Sequence, residues 1–103
     1  MKIRRATSDD RAELLELMRE SFEQEVDPSV DEWTKTKTAV SILLNDPQAG
    51  EAYLAVGSEG QLLGYIIMCR GFSLDYGGYF TWVEETYMRK TDQRRFRDQR
   101  FSP

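Results

Sequence analysis

The run Gly77-Gly-Tyr-Phe-Thr-Trp-Val-Glu-Glu-Thr-Tyr-Met88 (GGYFTWVEETYM) is the last strongly strand-like segment before the composition changes. β-Branched and aromatic residues dominate it, which suits a pleated, half-buried surface. Alternation predicts Tyr79, Thr81, Val83, Glu85 and Tyr87 on one side, and Phe80, Trp82, Glu84, Thr86 and Met88 on the other. Large side chains on both sides predict an internal strand covered on both faces. Glu84 and Glu85, being adjacent, should then point to opposite faces, with one of them inward.

The chain upstream reads as scaffolding for this strand. Lys2 to Ala6 forms a short first strand with Ile3 as its inward residue. Thr7 and Ser8 can cap a helix whose first turn holds Asp9 and Asp10, where carboxylates favour the positive end of the dipole. That helix should run from about Asp9 to Glu25, with Leu14, Leu15, Met18 and Phe22 as its buried stripe. Glu16, Arg19, Glu20 and Glu23 fall mainly on its solvated side. Asp27-Pro28-Ser29 breaks it.

A second helix is expected from Asp31 to about Leu44, with Trp33, Val40, Leu43 and Leu44 apolar and Ala39 allowing close approach. Asn45-Asp46-Pro47 stops it. Glu51–Gly57 and Gln61–Cys69 read as hairpin strands about a Ser58-Glu59-Gly60 turn. Gly64 inside the second suggests a bulge or a close backbone approach. SLDYGG, Ser73 to Gly78, reads as a flexible connection. The order strand, helix, helix, strand, strand, strand predicts a mixed α/β (α+β) layer design, with helices covering a mainly antiparallel sheet.

Composition narrows the chemistry. The 103 residues suffice for one core, and 40% hydrophobic with 31% charged residues fits a globular chain. No apolar run approaches the roughly 20 residues of a membrane helix, and the first residues lack the apolar centre of a signal peptide. With one cysteine, Cys69, no internal disulfide can form, and a reducing cytoplasm is the expected home. The absence of histidine removes Ser-His and Cys-His nucleophile pairs and the usual zinc chemistry. Acid–base work is left to carboxylates, tyrosines, lysines or water. No metal site is expected.

Charge divides the chain unevenly. Residues 1–88 carry 8 Lys/Arg against 16 Asp/Glu, a balance of −8, and residues 89–103 carry 6 against 2, a balance of +4. This predicts a domain over 1–88 and a basic tail over 89–103, disordered or helical. Nucleic acid is not expected as a partner, because the acidic body would repel a polyanion.

Three phrases carry a family resemblance: IRRATSDDRAELLELMRESF (3–22), AYLAVGSEGQLLGYIIM (52–68) and GFSLDYGGYFTWVEETYM (71–88). In order and spacing they resemble the opening strand and helix, the second and third strands, and the fourth strand of the GNAT superfamily of N-acetyltransferases. The similarity covers about residues 2 to 88. It implies a GNAT-like sheet of order β-α-α-β-β-β and transfer of an acetyl group from acetyl-CoA, as co-substrate, to a primary amine. It implies that Thr86, Tyr87 and Met88 receive the acetyl carbonyl and the pantetheine arm on backbone amides. By the same resemblance Glu84 or Glu85 deprotonates the amine, and Tyr87 assists the departing thiolate. A base must take the ammonium proton before nitrogen attacks the thioester, and a desolvated cleft favours such a base by raising a carboxylate's pKa. Phe22, Tyr76 and Tyr79 would line the amine pocket.

The chain departs from the family after Met88. The glycine-rich turn that cradles pyrophosphate at a helix N-terminus is replaced by RKTDQRRFRDQRFSP, which has no glycine. Gln93 and Arg94 are the side chains left to meet the cofactor phosphates. The expectation is the amino-terminal half of an acetyltransferase with an atypical tail, lacking the carboxyl half of the fold and impaired for that reason. The alternative is a catalytically inactive GNAT-like fragment that self-associates or binds another protein. An incomplete sheet leaves an edge that pairs with other chains, so a dimer through edge strands is expected. Bland readings stand beside each candidate: the glutamates as ordinary strand residues, Tyr87 and Phe22 as core, and Cys69 as an inert thiol.

Overall fold

The computed structural model describes residues 1–23 and 29–89. The order is β1 (Lys2–Arg5), a 3-10 turn at Ser8–Asp10, α1 (Arg11–Glu23), α2 (Val30–Asn45), β2 (Gly50–Val56), β3 (Leu62–Ser73) and β4 (Gly78–Met88). The four strands form one antiparallel sheet in the order β1-β2-β3-β4. This is the expected α+β design. The expected first-helix end at Glu25, the Asp27-Pro28 break, and Gln93 and Arg94 lie outside the described residues.

Local chemistry starts both helical segments. Asp10 receives the backbone N–H of Thr7 at 2.8 Å and the Arg4 guanidinium through two 2.8 Å bonds. The first turn is thereby tied to β1. At α2, Ser29 and Glu32 form a reciprocal capping box, each side chain accepting the other's backbone N–H at 3.1 Å. α1 buries Leu14, Leu15, Leu17 and Met18. Leu17 joins the expected stripe, while Phe22 sits at its half-buried margin.

The core lies between the helices and one sheet face. Leu14, Leu17, Leu54 and Tyr65 are its most completely buried large side chains. Fully burying a leucine stabilises the fold by about 1.5–3 kcal/mol. Ile3 is not part of this core. Its register partner is Ala55, whereas Arg4 pairs with Leu54. Arg4 therefore takes the helix side, where it reaches Asp10, and Ile3 faces outward with 53% exposure.

β4 also departs from expectation. Among the described residues it is the last strand of the sheet, and most of it is exposed. Its large side chains are covered by one another rather than by two layers. Phe72 meets Tyr79 at 5.4 Å, Tyr76 meets Phe80 at 4.9 Å, and Phe80 meets Trp82 at 5.5 Å. The connection from β3 is a tight turn. Gly77 donates to Leu74 O at 3.1 Å and takes φ +78°, a conformation that glycine adopts without steric cost.

Gly64 behaves as its place in a strand suggested. Val56 pairs with Leu62 and Ala55 with Gly64, so Leu63 is an extra residue in β3. A Cβ on Gly64 would stand 2.1 Å from the carbonyl oxygen of Tyr87, so only glycine lets β4 approach here.

Candidate functional site

A second irregularity builds the site. β3 and β4 pair as Ile67↔Glu85 and then Met68↔Val83, which leaves Glu84 as an extra residue in β4. A bulge inverts the side-chain alternation beyond it. Before it, Phe80 and Trp82 lie opposite Gly71 and Cys69; after it, Glu85 and Tyr87 lie opposite Ile67 and Tyr65. All four of these β4 residues thus share the helix-facing side, while Tyr79, Thr81, Val83, Thr86 and Met88 take the other. The expected separation of Glu84 and Glu85 onto opposite faces is overturned by this one inserted residue. Both carboxylates line the same cavity.

That cavity has a volume of about 390 Å³ and lies between the helices and the sheet. Met18 and Phe22 of α1, Val40, Ile42 and Leu43 of α2, and Ile67 and Cys69 of β3 form its apolar walls. Its acidic wall is held by neighbours. Tyr65, 1% exposed, donates its hydroxyl to Glu85 Oε1 at 2.6 Å. Burial, followed by this bond to a carboxylate, raises the Tyr65 pKa well above the usual phenol value, and the Ser21 hydroxyl pulls it the other way. Trp82 Nε1 donates to Glu84 Oε2 at 2.7 Å. Burial pushes the Cys69 thiol up, and the two glutamates add to the shift, so Cys69 is a neutral part of the wall.

Tyr87 lies on the helix side against Tyr65, with ring centres 6.0 Å apart. Its hydroxyl faces Glu20 Oε2 at 3.5 Å. Glu20 is held by Arg89 at 2.8 and 3.0 Å, and Arg89 also donates to Leu62 O at 3.0 Å. The bond from Arg89, then its charge, lowers the Glu20 pKa against the opposing effect of burial. Glu20 was expected on the solvated side of the helix. Instead it clasps α1 to the end of β4, a role that needed the position of Arg89.

Thr86 and Met88 lie on the outer face, in a second hollow of about 430 Å³ shared with Ile3, Ala55 and Ile66. The Arg89 N–H reaches Leu63 O at 2.9 Å. Antiparallel alternation then directs the Tyr87 amide toward β3 and those of Thr86 and Met88 away from it.

The structure brings Phe22 to the cavity with the two glutamates, and does not bring Tyr76 or Tyr79. β3 continues to Ser73, four residues past Cys69, which carries the turn roughly 13 Å along the strand direction from the cavity wall. Tyr79 also occupies the outer face, beside Phe72 and under the Arg70 guanidinium. The α2 residues of the cavity, Ile42 among them, were not foreseen; the helical spacing of Ala39, Val40 and Leu43 was the available signal. Among the described residues no group of three or more His, Cys, Asp or Glu side chains is placed to hold a metal ion, and no helix is long and apolar enough to cross a membrane.

No protein-family model matches the sequence, nor does any curated protein. Solved structures do match. An integron cassette protein from the mobile metagenome of Cole Harbour Salt Marsh is similar at 30% identity and a TM-score of 0.74, over 86% of this chain and 57% of that one. A possible acetyltransferase from Clostridium difficile 630 has 21% identity and a TM-score of 0.74, over 96% of this chain and 64% of that one. Ribosomal-protein-alanine N-acetyltransferase from Brucella melitensis biovar Abortus 2308 has 20% identity and a TM-score of 0.60, over 99% and 75%. The chain therefore spans 57% and 64% of the lengths of the first two. Its strands, helices and their order are those of a partial GNAT-like N-acetyltransferase fold.

Proposed function

We propose that the chain serves acetyl transfer from acetyl-CoA to a primary amine, with Glu85 or Glu84 taking the amine proton and the β4 edge at Thr86 receiving the acetyl carbonyl. The observation that carries this reading is the β4 bulge, which delivers both carboxylates to one cavity on an acetyltransferase-like fold. In this reading the amine enters from the helix side and the thioester lies along the outer edge of β4. The carboxylate takes the ammonium proton, the free amine attacks the thioester carbonyl, and the C–S bond breaks as the remaining surplus proton on nitrogen passes to sulfur, which releases the amide and CoA thiol. The Tyr87 hydroxyl faces Glu20, so protonation of the sulfur by Tyr87 would require that side chain to turn. Isothermal titration with acetyl-CoA tests the reading. Saturable binding supports it, and so does amine-dependent thiol release that Glu85→Gln abolishes. No heat of binding at about 1 mM cofactor overturns it.

A second reading has its own support: the sheet face opposite the helices carries exposed Ile3, Phe72, Tyr79 and Val83. Such a face, on a sheet whose last strand among the described residues is β4, suits a self-associating module without catalysis. Light scattering separates the two. A concentration-dependent dimer that binds no acetyl-CoA favours the module.

A further inference from the structure

The cavity behind Glu84 and Glu85 has a chemistry that selects among amines. Among the described residues its walls from α1, α2 and β3 are apolar except for Thr36, its one charged wall is the pair of glutamates, and no lysine or arginine lines it. We infer, building on the acetyl-transfer reading, that the acceptor is a small monoamine with an aromatic or branched aliphatic body. The ammonium sits at Glu85 and Glu84, and the body packs against Phe22, Val40, Ile42 and Leu43.

Three physical points lead there. First, an ammonium that gives up part of its water is tolerated only where it is paired and hydrogen-bonded, and half-buried Glu85 with exposed Glu84 offers that on a single wall. Tyr65 engages one oxygen of Glu85 and Trp82 one oxygen of Glu84. A carboxylate accepts at about four lone-pair sites, so capacity for an ammonium remains on both. Second, a polyamine or a lysine-rich segment would bring further positive charges against Phe22, Val40 and Leu43, where no carboxylate of the described residues pairs with them. The acidic balance of the body would steer such cations toward the protein, but the cavity would not pay their desolvation. An amino acid is disfavoured for the opposite reason, since its carboxylate would approach two glutamates. Third, about 390 Å³ is at the small end of the roughly 300–1,000 Å³ of ligand pockets, which suits one ring or one branched chain.

Titration calorimetry of the purified chain with 2-phenylethylamine, its neutral isostere 2-phenylethanol, and spermidine tests this, with and without acetyl-CoA. The expected result is 2-phenylethylamine binding at least about tenfold more tightly than either other probe, the charge preference disappearing in Glu85→Gln. Ala39→Trp and Ile42→Trp, two cavity-lining positions on the exposed side of α2, each fill the space and should weaken 2-phenylethylamine about tenfold. Circular dichroism identifies a variant that has not folded, and the other then decides. Spermidine binding as tightly as 2-phenylethylamine overturns the inference. So does indifference of the folded filling variants, or no saturable amine binding at about 10 mM. The acetyl-CoA titration is read separately. Amine selectivity without cofactor binding refutes acetyl transfer alone, and cofactor binding without that selectivity refutes the acceptor class alone.

Discussion

Replacing Tyr65 by Phe removes one hydroxyl from the core and tests whether Glu85 is held in place. The hydroxyl is buried and lies 2.6 Å from Glu85 Oε1, a short bond to a charged acceptor. Bonds of this kind contribute about 1.5–3 kcal/mol. Glu85 is half-buried, so water replaces part of the loss, and the expected destabilisation is near the lower end, about 1.5 kcal/mol. Glu85→Gln keeps an acceptor but removes its charge, and should cost about 0.5–1 kcal/mol. If the two groups act on each other, the double variant loses less than the sum, with a coupling of about 1 kcal/mol. Urea unfolding followed by tryptophan fluorescence measures all four proteins. With a urea slope of about 1–1.5 kcal/mol per molar, Tyr65→Phe moves the midpoint down by about 1 M. The pH dependence carries a sign. The folded Tyr65 pKa is raised, so its contribution is whole below the ordinary value of 10.0 and is lost as pH climbs above that toward the folded value. Tyr65→Phe should remove that alkaline loss. A coupling below about 0.3 kcal/mol would refute the claim that Tyr65 orients Glu85.

Asp10 should behave in the opposite direction. The bond from Arg4 holds its pKa down from 3.8 to about 2, so its stabilisation is present above the ordinary value and disappears as pH falls toward 2. Arg4 is half exposed, which screens the pair, and Asp10→Asn should cost about 1 kcal/mol near neutrality while flattening the acid limb of an unfolding-versus-pH curve. Gly64→Ala drives a Cβ into the Tyr87 carbonyl and should destabilise by about 1–3 kcal/mol or more; a thermal melt within a degree or so of the parent would count against the β3–β4 register. Ser29→Ala removes one half of the α2 capping box and should cost about 1 kcal/mol in urea, with Ser29→Asp largely restoring it.

Much of the architecture was legible because its signals are periodic. Leu14, Leu15 and Met18 recur at helical spacing, and the two stretches flanking Ser58-Glu59-Gly60 alternate as hairpin strands do. The GGYFTWVEETYM run is the strand its composition implies, but not a covered one. Aromatic residues at both parities looked like two buried faces. In the structure Phe80, Trp82 and Tyr87 share one face, because Glu84 shifts the phase between them. Pleat arithmetic cannot show an inserted residue, although the change of parity from Trp82 to Tyr87 is the trace it leaves. The same phase error misplaced Ile3, in a strand of four residues too short to declare its inner side. Arg4 declares it instead, through a carboxylate six residues on. The clasp of Glu20 with Arg89 joins residues 69 apart in the chain and left no local mark.

The sheet is unevenly wired. β2, β3 and β4 follow one another through short turns, so each ladder closes a small loop. β1 meets β2 only after the chain has travelled through both helices, closing about fifty residues at a higher entropic cost. All four of its residues remain exposed, so little apolar burial offsets that cost. The meander can zip first, with β1 arriving as a late lath fixed by its ladder to β2 and by the Arg4–Asp10 pair, and the margin of the sheet nearest the amino terminus is where amide protons would escape soonest.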